Sequence, residues 1–317
     1  MGNVYEFDTV ILGGGPAGLS AGIYMARSNA KTAVIDISML GGQPSNYLEL
    51  ENYPGFPIIG GYDLMEKFEE HADKFGVNKF PMVEIKSVNL VSNPKTVETV
   101  EGDIFKSKTV IIACGAQPKK LGVEGETEFI GRGVSYCAVC DGAFYQDKTV
   151  AVVGGGNAAV EEGMYLTKFA KKVYLIHRRD ELRADKIVQE RAFANDKMEF
   201  VWNSVVEKIQ GKDTVNNLVI KNVKTDQLSD LSVDGVFPYI GFSPNISDIN
   251  GQVEQDANGF IITDETMKTS VDGVYAVGDV RKTPLRQVIT AASDGAIGAV
   301  YAGKYLETLE KTHIVNV

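Results

Sequence analysis

The stretch Gly13-Gly14-Gly15-Pro16-Ala17-Gly18 follows five residues of buried-strand character, 8–12, and opens a helix-length segment that leads into a second apolar strand at Thr32–Ile35. Strand, glycine turn, helix and strand in that order make the dinucleotide-binding fingerprint G-x-G-x-x-G. The residue types follow from the geometry. The first glycine permits a sharp bend, the second lets backbone approach a pyrophosphate, and the third position must be small so that helix packs on strand. The helix N-terminus then offers free N–H groups to phosphate.

Outward from this stretch, the pattern recurs 141 residues later as Gly154-Gly155-Gly156-Asn157-Ala158-Ala159, with strands expected at 149–153 and 173–176. The shift pairs Gly13 with Gly154, Gly14 with Gly155, Gly15 with Gly156, Ala17 with Ala158, Gly22 with Gly163, Tyr24 with Tyr165, Lys31 with Lys172 and Ile35 with Ile176. One such motif is a weak signal. Two with matched flanks imply two dinucleotide sites.

The copies part where their ligands should differ. After the second strand the first copy has Asp36, whose carboxylate can accept from a ribose hydroxyl. The aligned residue is His177, opening the cationic run His177-Arg178-Arg179, with Arg183 beyond it. That cluster suits a 2′-phosphate and so favours NADPH over NADH. The bland alternative is a solvated basic patch.

Cys137-Ala138-Val139-Cys140 lies 14 residues before Gly154. This spacing suits a reversible disulfide. Half of a zinc site is the competing reading, but no second CxxC or CxxH supplies the other ligands. Two dinucleotide sites and a dithiol together point to electrons passing from a nicotinamide, through a flavin, to a disulfide. Asp141 follows at once and could handle protons.

The chain has 317 residues, 44% apolar and 23% charged, with net charge −10 and pI about 5.0. That composition fits two ordinary globular domains and argues against binding nucleic-acid backbone. No apolar run is long enough to span a membrane. Three cysteines and no signal-peptide pattern lead us to expect a cytoplasmic protein.

Strand and helix patterns alternate throughout, which indicates an α/β class. An amphipathic helix is expected over 63–75, with Leu64, Phe68 and Phe75 on one face and His71 packed on or near it. His313 reads as a surface residue and Trp202 as core or boundary packing. Residues 109–116 and 271–280 read as buried strands running into turns, the second at Gly278-Asp279. A final helix over about 287–309 is rich in Ala and Gly early on, for the approach of something bulky or of another helix.

These landmarks resemble the low-molecular-weight thioredoxin reductases of bacteria, within the two-dinucleotide-binding flavoproteins. The likeness covers essentially the whole chain through Gly13–Gly18, Gly41-Gly42-Gln43, Glu51-Asn52-Tyr53-Pro54-Gly55, Cys137–Gly142, Gly154–Glu162, His177–Arg183, Gly278-Asp279 and Arg286-Gln287-Val288. The resemblance implies two Rossmann-like three-layer dinucleotide-binding domains, the second inserted in the first. The FAD-binding domain would comprise 1–117 and 246–317. The NADPH-binding domain, 118–245, would carry the CxxC, with crossings near Gln117-Pro118 and in 241–245. Gly13, Gly15, Pro16, Ala17, Gly18, Asp36, Gly42, Gln43, Asn52, Ala113, Gly115, Gly278, Asp279, Arg286, Gln287 and Val288 would hold FAD. Gly154, Gly156, Asn157, Ala158, Ala159, His177, Arg178, Arg179 and Arg183 would hold NADPH.

The implied relay runs from NADPH to FAD to the Cys137–Cys140 disulfide to oxidised thioredoxin. Cys140 would be the flavin-proximal sulfur, Cys137 would attack thioredoxin and Asp141 would move protons. Because nicotinamide and dithiol would ride on one domain, the resemblance implies that this domain rotates to present each in turn. A homodimer is implied, and Arg132 is either a thioredoxin contact or a solvated turn residue. Cys114 stands where the family usually has Thr, and we expect packing there and no redox role. Same-fold reductases serving ferredoxin, flavodoxin or a peroxiredoxin are the enzymatic alternatives. The first two kinds generally lack the CxxC, and the third often carries an extra thioredoxin-like module. A nucleotide-binding redox sensor is the non-enzymatic one.

Overall fold

The computed structural model describes residues 2–47, 49–50, 52–246, 249 and 251–315, with the side chains of 140, 310 and 312–315 outside that description. Glu51 and the His313 side chain therefore lie outside the described residues. The chain divides into two compact units, Met1–Gln117 with Ser243–Val317, and Pro118–Phe242. The second crossing lies at Phe242/Ser243 rather than 245/246, because Asn245 N–H already donates to the Gly115 carbonyl at 3.1 Å.

The first unit holds β1 (Val4–Leu12), α1 (Pro16–Arg27), β2 (Thr32–Ile35), α2 (Gly61–Lys74), β3 (Asn78–Phe80), β4 (Ile85–Asn89), β5 (Lys95–Thr99), β6 (Ile104–Ile112) and β7 (Ala116–Pro118). Its sheet runs β3-β2-β1-β6-β5-β4. The strands from β3 to β6 are parallel, and β5 and β4 turn antiparallel. Period-two alternation separates the faces. Ile11 and Ile111 join Leu19 and Met25 of α1, whereas Val10, Leu12, Val110 and Ile112 face Val88, Leu90 and Val97. Each fully buried aliphatic side chain of this kind contributes about 1.5–3 kcal/mol.

The second unit holds α3 (Ala138–Asp141), β8 (Thr149–Val153), α4 (Asn157–Leu166), β9 (Lys172–Ile176), α5 (Lys186–Phe193), β10 (Met198–Val201), β11 (Ser204–Gly211), β12 (Val215–Asn222), β13 (Leu228–Ser232) and β14 (Gly235–Pro238). Strands β10-β9-β8-β14 form a parallel sheet and β11-β12-β13 an antiparallel one. Along β8, Val150 and Val152 pack with Val160, Leu166 and Val188 of the helices. Ala151 and Val153 pack with Val206, Ile209 and Leu218 of the antiparallel sheet. This is the three-layer α/β arrangement expected.

The chain passes back through β15 (Phe242–Pro244), which pairs with β7, and the first unit ends with β16 (Val274–Ala276) and α6 (Val288–Val315). β16 lies parallel to the second half of β6. The small residues early in α6 serve helix packing. A Cβ on Gly295 would stand 2.1 Å from the Ala17 carbonyl oxygen, and Ser20 Oγ of α1 donates to the Ala292 carbonyl at 2.7 Å. His71 corrects the expectation for α2: it is exposed, with its ring 5.4 Å from Phe75. Helical rotation carries it off the stripe of Leu64 and Ala72, which are the buried positions. Trp202 stacks on Phe200 at a half-buried boundary.

Candidate active site

Both glycine turns leave their helices without a side-chain cap. Gly15 precedes α1 and Gly156 precedes α4, and neither helix start has a capping hydrogen bond. An absent cap costs about 1 kcal/mol, which the buried aliphatics outweigh, and it leaves N–H groups available to an anion.

In the first turn Gly13 has φ +106°, and a Cβ there would fall 2.3 Å from the Ala113 carbonyl oxygen. A Cβ on Gly18 would meet the Gly13 oxygen at 1.8 Å. Asp36 is committed to the turn: its Oδ2 accepts from Gly14 N–H at 2.6 Å and its Oδ1 from Ser38 N–H at 2.8 Å. Gly41 N–H donates to the Gly14 carbonyl at 2.9 Å, which lays Gly42 against Gly15. Gln43 then opens the short 3-10 turn Gln43–Asn46. Gly278, at φ +72°, packs on Ala17, and its N–H donates to Asp294 Oδ2 at 3.2 Å. Arg281 pairs with the same oxygen at 3.0 Å, both side chains largely buried. Residues 13–18, 36, 41–43, 113 and 278 thus converge, and Gly115, at φ +66°, begins the exit from β6.

Burial pushes the Asp279 carboxyl up to about 6, against the pull of Arg286 and with a further push from Asp294. Arg286 lies over the Phe260 ring at 4.0 Å, and its Nε reaches the Asp279 carbonyl at 3.5 Å. Asn52 Nδ2 donates to Gln287 Oε1 at 2.9 Å, joining segments 235 residues apart just ahead of Val288, where α6 starts. Cys114 is half-buried and outside any disulfide, its Sγ donating to the Leu12 carbonyl oxygen at 3.4 Å.

In the second turn Gly154 lies against the Tyr239 carbonyl, and a Cβ on Gly156 would meet nothing within 4 Å. That open face above an uncapped helix start fits a pyrophosphate. Asn157 Nδ2 donates to Asp185 Oδ2 and its Oδ1 accepts from Asp185 N–H, both at 2.7 Å. Arg183 N–H donates to the Gly155 carbonyl at 2.6 Å. Ala158 is half-buried and Ala159 wholly buried. Arg178, Arg179 and Arg183 are exposed.

His177 differs from its neighbours. It is buried under the turn, a Cβ on Gly155 would touch its ring at 2.5 Å, and its Nε2 is buried without a partner. Burial first, then Arg183, Arg179 and Arg178, lowers its pKa, so it carries no charge at pH 7. The exposed cationic cluster is therefore the three arginines. Glu162 of α4 is a buried carboxyl that motif reading passed over. Burial, then Glu161, pushes it up to about 7, and its Oε2 has no partner.

Cys137 is half-buried and disulfide-bonded. The Cys140 side chain lies outside the described residues, although its backbone is part of α3. The turn is held on three sides. Cys137 N–H donates to Ser135 Oγ at 3.1 Å, and Ala138 N–H to Tyr239 Oη at 2.9 Å. Tyr136 Oη donates to Glu126 Oε1 at 2.7 Å. Glu126, 1% exposed, also accepts the N–H groups of Leu121 and Gly122 at 2.7 Å each. Burial, then Glu126, raises the Tyr136 pKa. Asp141 is half-buried, and its N–H donates to the Cys137 carbonyl at 3.2 Å. Tyr239 and Glu126 carry no local signature, since they reach the turn from 101 and 10 residues away, whereas Ser135 acts two residues ahead of Cys137. Arg132 is exposed, donating to the Glu128 carbonyl at 2.7 Å.

Residues 7–295 match the pyridine nucleotide-disulphide oxidoreductase family. The chain is 46% identical to a thioredoxin reductase of Peptoclostridium litorale, over 98% of this chain and 99% of the relative. It is 45% identical to one of Bacillus subtilis (strain 168), over 96% of each. A crystal structure of Lactococcus lactis thioredoxin reductase is similar with a TM-score of 0.92 and 42% identity, covering 95% of this chain and 99% of that one. The chain belongs to the pyridine nucleotide-disulphide oxidoreductases, in their thioredoxin reductase branch.

Proposed function

We propose that this chain is an NADPH-dependent thioredoxin-disulfide reductase carrying FAD. The observation that carries the reading is Cys137 in disulfide form, in the unit that also contains the second glycine turn. Its partner in this reading is Cys140, as the CxxC spacing and the family resemblance imply.

FAD would lie in the first unit, on Gly13–Gly18, Gly42-Gln43, Gly278-Asp279 and Arg286–Val288. NADPH would lie in the second unit on Gly154–Ala159 and the exposed Arg178, Arg179 and Arg183. Bound FAD supplies the two-electron exchange that connects NADPH with the disulfide. The protein's own part is thiol chemistry. In the reduced pair one thiolate attacks the thioredoxin disulfide, breaking that S–S bond and forming a mixed disulfide. The other thiolate then attacks the mixed disulfide, closing Cys137–Cys140 and releasing the second thioredoxin thiolate. Asp141, next in sequence to Cys140, would exchange protons with the pair. The enzyme works as a cytoplasmic homodimer, and no described helix is long and apolar enough to cross a membrane.

Following NADPH oxidation with thioredoxin tests the reading. Cys137→Ser should keep bound flavin and slow oxidation of NADPH by artificial acceptors, while thioredoxin turnover falls by at least about a thousandfold, the scale of losing a covalent nucleophile. Full thioredoxin turnover by that variant would reject the dithiol.

A further inference from the structure

Tyr239 touches both functional turns of the second unit. Its N–H donates to the carbonyl of Val153, the last residue of β8, at 2.7 Å. Its own carbonyl oxygen lies where a Cβ on Gly154 would be only 2.4 Å away. Its ring packs on the core containing Ala138, Tyr145 and Phe237. Its Oη accepts the N–H of Ala138, the residue bonded to Cys137, at 2.9 Å. Ala138 is 0% exposed, so water cannot stand in as acceptor.

We propose that Tyr239 is a positioning residue of the redox turn: its phenol oxygen pins the Cys137–Ala138 peptide in the disulfide form and thereby sets how readily that disulfide is reduced. The inference rests on the proposed function for the membership of Cys137 in the redox pair. The hydrogen bond is present with Cys137 oxidised. Reduction breaks the S–S bond, takes up two electrons and two protons, and releases the ring that holds the turn. A thiol or thiolate sulfur then lies within the turn as an alternative acceptor for its N–H groups. The phenol oxygen therefore weighs more in the disulfide state, and its removal favours the dithiol.

The test equilibrates the FAD-loaded Tyr239→Phe protein with mixtures of reduced and oxidised glutathione, then alkylates the thiols and counts them by mass. One ordinary hydrogen bond corresponds to about a fivefold change in the equilibrium constant toward the dithiol, or about 20 mV upward at 29.6 mV per tenfold. Bound FAD should be unchanged and the KM for NADPH should stay within about twofold. Tyr239→Leu, which also removes the ring, should shift the constant at least as far in the same direction. A constant within about twofold of the parent overturns the proposal, as does a shift toward the disulfide. An equal rise in the KM for NADPH overturns it too, because both turns would then have loosened together. The glutathione equilibrium uses no thioredoxin, so a parent chain unable to reduce thioredoxin would sink the proposed function while leaving this measurement readable.

Discussion

The two glycine turns, built on one pattern, are supported by opposite chemistry. In the first, Asp36 accepts the Gly14 N–H at 2.6 Å. In the second, the aligned His177 slides a neutral ring beneath Gly155 and donates nothing from its buried Nε2. Both residues end the second strand, and both brace the middle glycine. The position that sequence reading gave wholly to nucleotide recognition is thus also part of the scaffold. On the proposed reading, discrimination in the second unit would fall to the exposed arginines beyond it. The helices differ as well. Ala21 of α1 is wholly buried, and its counterpart by the same shift is Glu162 of α4, a carboxyl pushed up to about 7.

The sharpest way to break the comparison is at its third small residue. Gly18→Ala drives a Cβ to 1.8 Å from the Gly13 oxygen, so the purified protein should be nearly colourless, with less than about a tenth of the parental flavin absorbance. Ala159→Gly in the other copy should cost only about 1 kcal/mol in denaturant unfolding. Similar losses in both would mean that the turns tolerate side chains alike.

Glu162 offers the next largest effect. Its folded pKa, about 7, lies above the ordinary 4.5. The folded state thus holds the proton more tightly. Its contribution is fully present below pH 4.5 and is lost as pH rises through 7. Glu162→Gln cannot ionise, so it should match the parent below that window and exceed it above by up to about 3 kcal/mol. Unfolding curves at pH 4 and pH 8 decide it. Ala21, having no charge, supplies no such slope in the first unit.

The smallest effect concerns the arginines. Arg178→Ala should raise the KM for NADPH about tenfold, near 1.4 kcal/mol, and that for NADH hardly at all. Equal changes would return the cluster to the status of solvated surface.

Sequence patterning located β2 and β8 to the residue, because buried parallel strands bounded by glycine and charge leave little latitude. It found only the inner half of β1. Val4–Phe7 alternates exposed and covered positions and lacks a continuous apolar run. The helix at the C-terminal side extends to Val315, beyond the expected 309, and residues 310–315 contain no glycine or proline to signal a stop. The network around Cys137 was illegible for another reason. Tyr239 is 101 residues from Ala138, and Glu126 reaches Tyr136 by a hydrogen bond that only tertiary folding creates. His71 was misread because a helical face is decided by what packs on it, and here Ala72 takes the buried place.

The contact of α6 on α1, through Gly295 and Ala17, sets the order in which the newborn polypeptide can mature. Pro118–Phe242 is one uninterrupted span and can collapse as soon as it leaves the ribosome, whereas its host must wait for β16 and α6, more than thirty residues after the second crossing. During synthesis the apolar flank of α1 stays uncovered until the closing helix arrives. The inserted unit is therefore the first to stand complete, and the enclosing one is finished last.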